Sequence, residues 1–228
     1  MKIVSVTHQG LVRINNEDAV AFDDVGGWVA LADGMGGLLA GEEASGVAVA
    51  TAKRVFLESK ASIEAVLLEA HQGVFAHAEG KNYVGKMGTT LVLWRWQSSG
   101  PEFCHVGDSR IYQYVDEQLT LLSTDQTVAQ RMVDERIIPK DQLATAPNQN
   151  VLTQALGMPG MLKPETGSTS TRGRLLLCSD GLSDLVADDV IERSMEIVDL
   201  QSCAAELVKL ALDRGGRDNI TVALIELD

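Results

Sequence analysis

Short apolar segments rich in Val, Leu, Ile, Tyr or Trp, each closed by Gly, Asp or Ser, recur along this chain of 228 residues. They predict strands at 3–8, 19–23, 28–32, 90–97, 102–107, 110–115, 119–122, 174–179 and 220–227. The connections Gln97-Ser98-Ser99-Gly100-Pro101 and Asp116-Glu117-Gln118 are short enough for hairpins, so much of the pairing is expected to be antiparallel. Helical patterns fall together instead, at 41–59 and 61–79 and again near 200–214. In the last, Leu200, Cys203, Ala204, Leu207, Val208 and Ala211 follow the spacing of a buried stripe. Helices grouped apart from runs of strands predict an α+β architecture, two antiparallel sheets face to face with helices outside. The segment from Asp125 to Gly157 breaks the pattern with a helix at 126–136, a turn at Pro139 and a polar stretch near Asn148, and reads as an excursion beside the core. No repeat, low-complexity tract or linker interrupts the chain, which predicts one domain over 1–228.

The charge balance narrows the partners. With 19 Lys and Arg against 32 Asp and Glu, the net charge of −13 repels a phosphate backbone, so nucleic acid is not an expected partner. Any phosphate chemistry must rest on local cations or on metal. Three cysteines, Cys104, Cys178 and Cys203, lie in apolar stretches without CxxC spacing, arguing against a disulfide framework or structural zinc. No apolar run approaches the length of a membrane span, and MKIVSVTHQG is too polar for a signal-peptide core. A cytoplasmic protein with no membrane partner is expected.

Carboxylates mark the strand ends. Asp33 closes the segment from Trp28 to Ala32, Asp108 follows Phe103 to Gly107, Asp180 closes Leu175 to Ser179, Asp218 precedes Ile220 to Ala223, and Glu17-Asp18 opens Ala19 to Phe22. Asp forms turns at strand ends often enough that one such residue means little. Five such sites together mean more. If they meet at one rim, their charges raise each other's pKa unless a multivalent cation neutralises them. The donors are all hard oxygen, which selects Mg²⁺ or Mn²⁺ over zinc or copper. Arg13, four residues before Glu17, is suited to bidentate capture of a phosphate. Two such metals can acidify a shared water, so phosphoester hydrolysis is the expected reaction.

Six motifs in register resemble the metal-dependent protein phosphatases, the type 2C Ser/Thr phosphatases, in their compact bacterial form. They are Arg13-x-x-Asn16-Glu17-Asp18, Ala32-Asp33-Gly34-Met35-Gly36-Gly37, Gly88-Thr89-Thr90, Val106-Gly107-Asp108-Ser109-Arg110, Ser179-Asp180-Gly181-Leu182 and Gly216-Arg217-Asp218-Asn219-Ile220-Thr221. The resemblance implies an α-β-β-α sandwich with a binuclear Mn²⁺ or Mg²⁺ centre at one end and a flap at about 125–157. By motif, Asp33 resembles the bridging ligand, Asp180 and Asp218 ligands of one metal, and the Gly34 carbonyl a ligand of the other. Glu17 and Asp18 resemble the holders of metal-bound waters, Arg13 the phosphate binder, and Asp108 with Asp180 the site of a third, weaker metal. The implied activity is hydrolysis of phosphoserine and phosphothreonine in proteins by a metal-bridged hydroxide. The implied partners are phosphoproteins made by a eukaryotic-like Ser/Thr kinase, and the protein is expected to be a monomer.

Two positions depart from the family pattern. Met35 stands where eukaryotic relatives carry a His proposed as general acid, and a thioether donates no proton, which leaves a metal-bound water as the expected acid. Asp125-Gln126 replaces the usual Asp-His before the flap. Other signatures fail on context. Cys104-x5-Arg110 matches the tyrosine-phosphatase loop, but that chemistry needs a following helix, and Arg110 to Val115 alternates like a strand. A two-component receiver also gathers acids at strand ends, but on parallel βα units rather than hairpins. A silent member of the family would bind metal without turnover, yet every proposed ligand is present.

Overall fold

The computed structural model describes residues 1–36 and 40–227; Gly37, which closes the second motif, lies outside them. In chain order the elements are β1 (Lys2–His8), β2 (Asp18–Asp23), β3 (Trp28–Met35), α1 (Ala40–Glu58), α2 (Ile63–Lys81), β4 (Gly88–Thr89), β5 (Leu91–Arg95), β6 (Glu102–Val106), β7 (Arg110–Val115), β8 (Gln118–Leu121), α3 (Val128–Asp134), a 3-10 turn (Lys140–Thr145), β9 (Glu165–Ser168), β10 (Gly173–Cys178), α4 (Asp180–Ser183), α5 (Asp188–Ser194), α6 (Leu200–Asp213) and β11 (Ile220–Leu227).

One sheet has the order β1-β11-β10-β7-β8, and the other β2-β3-β5-β6-β9 with β4 paired to β3. Their pairs are antiparallel, as the short turns predict. The hairpin between β7 and β8 turns on Asp116 and Glu117, both at positive φ, which matches the right-handed twist of the flanking strands.

Central strands are apolar on both faces because each face is covered. In β3, Val29 and Leu31 pack between the sheets with Trp94, Ile111, Leu175 and Ile225. Trp28, Ala30 and Ala32 point the other way, onto Ala44, Ala48 and Ala52 of α1 and Val66 and Leu67 of α2. The same period of two sends Leu175 and Leu177 of β10 inward and Leu176 and Cys178 outward, beneath Cys203, Leu207 and Ala211 of α6. The result is the expected four-layer α-β-β-α sandwich.

Sequence pattern missed β9, α4 and α5, as well as the two-residue β4 and the 3-10 turn. β9 reads Glu-Thr-Gly-Ser, an edge strand with no apolar alternation, held by its pairing with β6 and by the Glu165 side chain, which meets His105 and Thr124. α4 and α5 span 4 and 7 residues, too short to display a helical stripe. The helix expected at 126–136 is the shorter α3, which starts at the N-cap Thr127 and is followed by Arg136 at positive φ. Among the described residues, no helix is long and apolar enough to cross a membrane.

Candidate metal centre

Antiparallel pairing carries all the acidic strand ends to one end of the sandwich. Asp18 opens β2 directly opposite Asp33 near the end of β3. Asp180 follows the end of β10, whose partner β11 begins just after Asp218. Asp108 sits in the turn from β6 to β7, and Arg110 of β7 pairs with Cys178 of β10. There, Arg13, Glu17, Asp33, Gly34, Asp108, Asp180 and Asp218 line a cavity of 260 Å³, together with Met35, Thr90, Asn150 and Leu152. Asp18 adjoins the group through its pairing with Asp33 and a 2.8 Å hydrogen bond from Ser179 Oγ. Every residue singled out as a candidate therefore gathers at one place.

Glycines make this convergence possible by close backbone approach. A Cβ on Gly34 would lie 2.1 Å from the Gly41 carbonyl oxygen and 2.6 Å from that of Glu17. One on Gly181 would lie 1.9 Å from the carbonyl oxygen of Asn219. The Asp33 and Asp180 turns are thus seated directly on the segments that carry Glu17 and Asp218.

Neutral polar residues hold the carboxylates in place, and the motifs alone did not reveal their roles. The Asp33 N–H donates to Thr90 Oγ1 at 2.9 Å, and its carbonyl accepts from the Thr90 N–H at 2.9 Å and from Thr89 Oγ1 at 2.8 Å. Thr90 and Ser109 share a hydroxyl contact of 2.8 Å. Asn219 is 4% exposed; its Oδ1 accepts from the Glu17 N–H, and its Nδ2 donates to the carbonyls of Gln9 and Asn15, at 2.8, 2.8 and 2.9 Å. One amide therefore ties down the loop that carries Arg13 and Glu17.

Two arginines take different positions. Arg13 is half-exposed and donates to Asp218 at 2.5 Å, rather than forming a surface pair with Glu17. Arg110 forks onto both oxygens of Asp125 at 2.9 and 2.6 Å, and so anchors the start of the 125–157 excursion. Gln126, the second departure from the family pattern, clasps the turn before Asp108. Its N–H donates to the Gly107 carbonyl and its Oε1 accepts from the Gly107 N–H, at 2.9 and 2.8 Å. Cys104 is buried against the helical layer, and burial pushes its thiol up to about 12. With a strand rather than a helix following at Arg110, it offers no thiolate nucleophile.

Burial, reinforced by neighbouring carboxylates, raises four aspartates of the site. Asp33 and Asp180 stand well above the usual range, Asp18 is raised to about 6 and Asp108 to about 7. Three buried side-chain atoms among the described residues lack a hydrogen-bond partner, and two belong to this cluster, Asp18 Oδ1 and Asp180 Oδ1. Among the described residues no three His, Cys, Asp or Glu side chains already close on a common point. Asp218 is instead engaged by Arg13 and Asp18 by Ser179. The donors nevertheless fit a hard divalent cation, because they are all oxygen, crowded, mutually repelling and partly orphaned.

A pH dependence follows for the protein in EDTA. A carboxyl whose folded pKa is raised binds its proton more tightly in the native state, so it stabilises at low pH and loses that contribution as pH rises through the folded value. For Asp18 and Asp108 the window closes at about 6 and about 7. Glu43 and Glu165 are shifted down and act with the opposite sign, but at and below their ordinary value of 4.5; the half-buried His71, also shifted down, opposes the trend below 6.5 as a single group against several raised acids. Thermal melts in EDTA are expected to show Tm falling between about pH 5 and 8, with added Mn²⁺ restoring most at the alkaline end. A Tm that rises across that window would contradict the raised acids.

Comparison with known proteins places the chain in context. The family model described as Protein phosphatase 2C matches residues 8–213. The serine/threonine protein phosphatase PstP of Mycobacterium tuberculosis is 34% identical over 233 residues, covering 100% of this chain and 45% of its own length. The chain thus spans about half the length of that curated relative. The crystal structure of the M. tuberculosis phosphatase PstP/Ppp superposes with a TM-score of 0.91 at 33% identity, covering 100% of this chain and 98% of the other. The catalytic domain of PstP in complex with two manganese ions gives 0.87 at 32% identity, covering 100% and 98%.

Proposed function

This chain belongs to the protein phosphatase 2C family, and from that premise we propose that it hydrolyses phosphoserine and phosphothreonine in proteins, with residues 1–228 acting as one catalytic domain. The observation that carries the reading is the gathering of Glu17, Asp33, Asp108, Asp180 and Asp218 around one cavity, with orphaned carboxylate oxygens in the cluster and a guanidinium on its rim.

Asp33, Asp180, Asp218 and the Gly34 carbonyl would hold two Mn²⁺ or Mg²⁺ ions, with Glu17 and Asp18 in support and Asp108 with Asp180 offering a weaker third position. Bound there, the ions supply positive charge against the phosphoryl oxygens and acidify water. Arg13 lies within reach of the same space and can exchange its hold on Asp218 for phosphate oxygens, orienting the ester for in-line attack. Asn219 fixes the loop bearing Arg13, which keeps that orientation from drifting. Met35 borders the cavity but has no proton to give, so the leaving alkoxide takes its proton from water rather than from this side chain. The reading extends to phosphoproteins made by a Ser/Thr kinase and to a monomer acting in the cytoplasm.

An assay on a phosphothreonine peptide tests it. Turnover is expected with Mn²⁺ and should fall by about a hundredfold or more in EDTA. Arg13→Ala should lower kcat/KM by roughly tenfold to a hundredfold. Cys104→Ala, in the core, should change it by no more than about twofold. Full turnover in EDTA, or loss with Cys104→Ala alone, would overturn the reading.

A further inference from the structure

Beside the catalytic cavity lies a second one, also of 260 Å³, and the two share Met35 and Leu152 in their walls. Its character is different. Met35, Leu152, Met158, Pro159, Met161 and Leu162 supply most of its lining, and no charged side chain contributes. The polar side chains in its wall are already committed. Thr153 Oγ1 donates to the Gln126 carbonyl, and Gln154 Nε2 donates to Gln126 Oε1 and the Lys163 carbonyl, at 2.9, 2.8 and 2.9 Å.

Two methionines converge across a glycine floor. A Cβ on Gly88 would lie 3.1 Å from Met35 Cε and 3.1 Å from Met158 Cγ. The far wall is anchored, since Thr89 and Leu156 exchange backbone hydrogen bonds of 3.1 and 2.9 Å, and His71 Nδ1 accepts from the Gly157 N–H. At the rim, Met161 is 88% exposed, a large apolar side chain with no cover in the fold. The catalytic cavity also shares Asn150, Asp180 and Asp218 with a 540 Å³ cavity whose walls carry Lys140, Asp141, Asp184 and Arg217. A chain bound at the catalytic cavity would therefore have both an uncharged, methionine-rich recess and a charged trough adjoining it.

We propose that the methionine-lined recess is a substrate subsite that takes an apolar side chain adjacent to the phosphorylated serine or threonine. The inference rests on the phosphatase reading and adds a sequence preference to it. Its volume lies below the range of about 300–1,000 Å³ typical of small-molecule sites and suits one large side chain. Flexible thioethers adapt to several apolar shapes, so Leu, Met and Phe are all accepted. A charged neighbour would meet no opposite charge there, while an apolar one gains contact with the methionines, which sets the direction of the preference.

The test uses the chain with saturating Mn²⁺ and phosphothreonine peptides that differ only in the residues flanking the phosphothreonine, carrying Leu, Met, Asp or Lys. p-Nitrophenyl phosphate serves as a substrate without flanks. On one side of the phosphothreonine, Leu and Met should exceed Asp and Lys in kcat/KM on the order of tenfold. Met161→Ser, at an exposed position, and Met158→Ser should each shrink that ratio, and together bring it within about twofold of unity. Equal kcat/KM across the panel overturns the inference, and so does a preference that survives both substitutions. Hydrolysis of p-nitrophenyl phosphate without any flank preference removes the subsite and leaves the phosphatase reading standing. Failure to hydrolyse any of these substrates strikes the phosphatase reading, and the subsite with it.

Discussion

Asp33→Asn is expected to lower phosphatase activity by about a thousandfold while making the protein in EDTA more stable at alkaline pH. Both effects have one cause. Burial and the charges of Asp18, Asp180, Asp108 and Asp218 hold the Asp33 carboxyl well above its ordinary value, so its ionised form is costly without a cation. Asn keeps the shape and removes the charge. The backbone hydrogen bonds to Thr89 and Thr90 do not involve the side chain and survive the substitution. Each kcal/mol of relief should raise Tm by roughly 2–4 °C in a chain of this size, at pH 8 but not at pH 5. Mn²⁺ should then stabilise the variant much less than the parent. Melts with and without Mn²⁺ at both pH values, alongside the peptide assay, check the pair of effects. Unchanged activity would remove Asp33 from the site, and a lower Tm in EDTA at alkaline pH would refute the repulsion argument.

Asn219→Ala should cost about 2–4 kcal/mol of stability and about a hundredfold in activity, although the residue contributes no charge. Its side chain satisfies one buried N–H and two carbonyls, and all three partners belong to the segment from Gln9 to Glu17. Truncation removes these three hydrogen bonds and frees the loop that positions Arg13. Since the proposed function gives the loop contacts to both phosphate and metal, kcat and KM should change together. Urea unfolding gives the stability term, and hydrogen exchange at the Glu17 amide reports the loop directly. A loss below about 0.5 kcal/mol with normal exchange at Glu17 would show that the loop is held by something else.

Much of the fold was legible because its determinants are local. Alternating apolar residues mark strands that are buried, Asp116-Glu117 marks a hairpin, and the spacing in α6 marks a stripe. β9 escaped because an edge strand needs only backbone partners, and its four residues bear no apolar period. The candidate site divides in the same way. Its carboxylates stand out because Asp at a strand end beside Gly is a local pattern. The residues that aim them are uncharged and find their partners far along the chain. Asn219 meets Glu17 across 202 positions, Ser179 meets Asp18 across 161, and Thr90 meets Asp33 across 57. No periodicity could connect such pairs.

The sequence by itself therefore determined the layers, the antiparallel pairing and the acidic inventory of the rim, since these follow from side-chain period and residue type within a few positions. Only the tertiary structure decided that Arg13 faces Asp218, that Arg110 is occupied by Asp125, and that Met35 belongs to two cavities at once. Those outcomes depend on which strand ends meet and how closely, and that is set by backbone approach at Gly34, Gly88 and Gly181 across distances that local sequence does not encode.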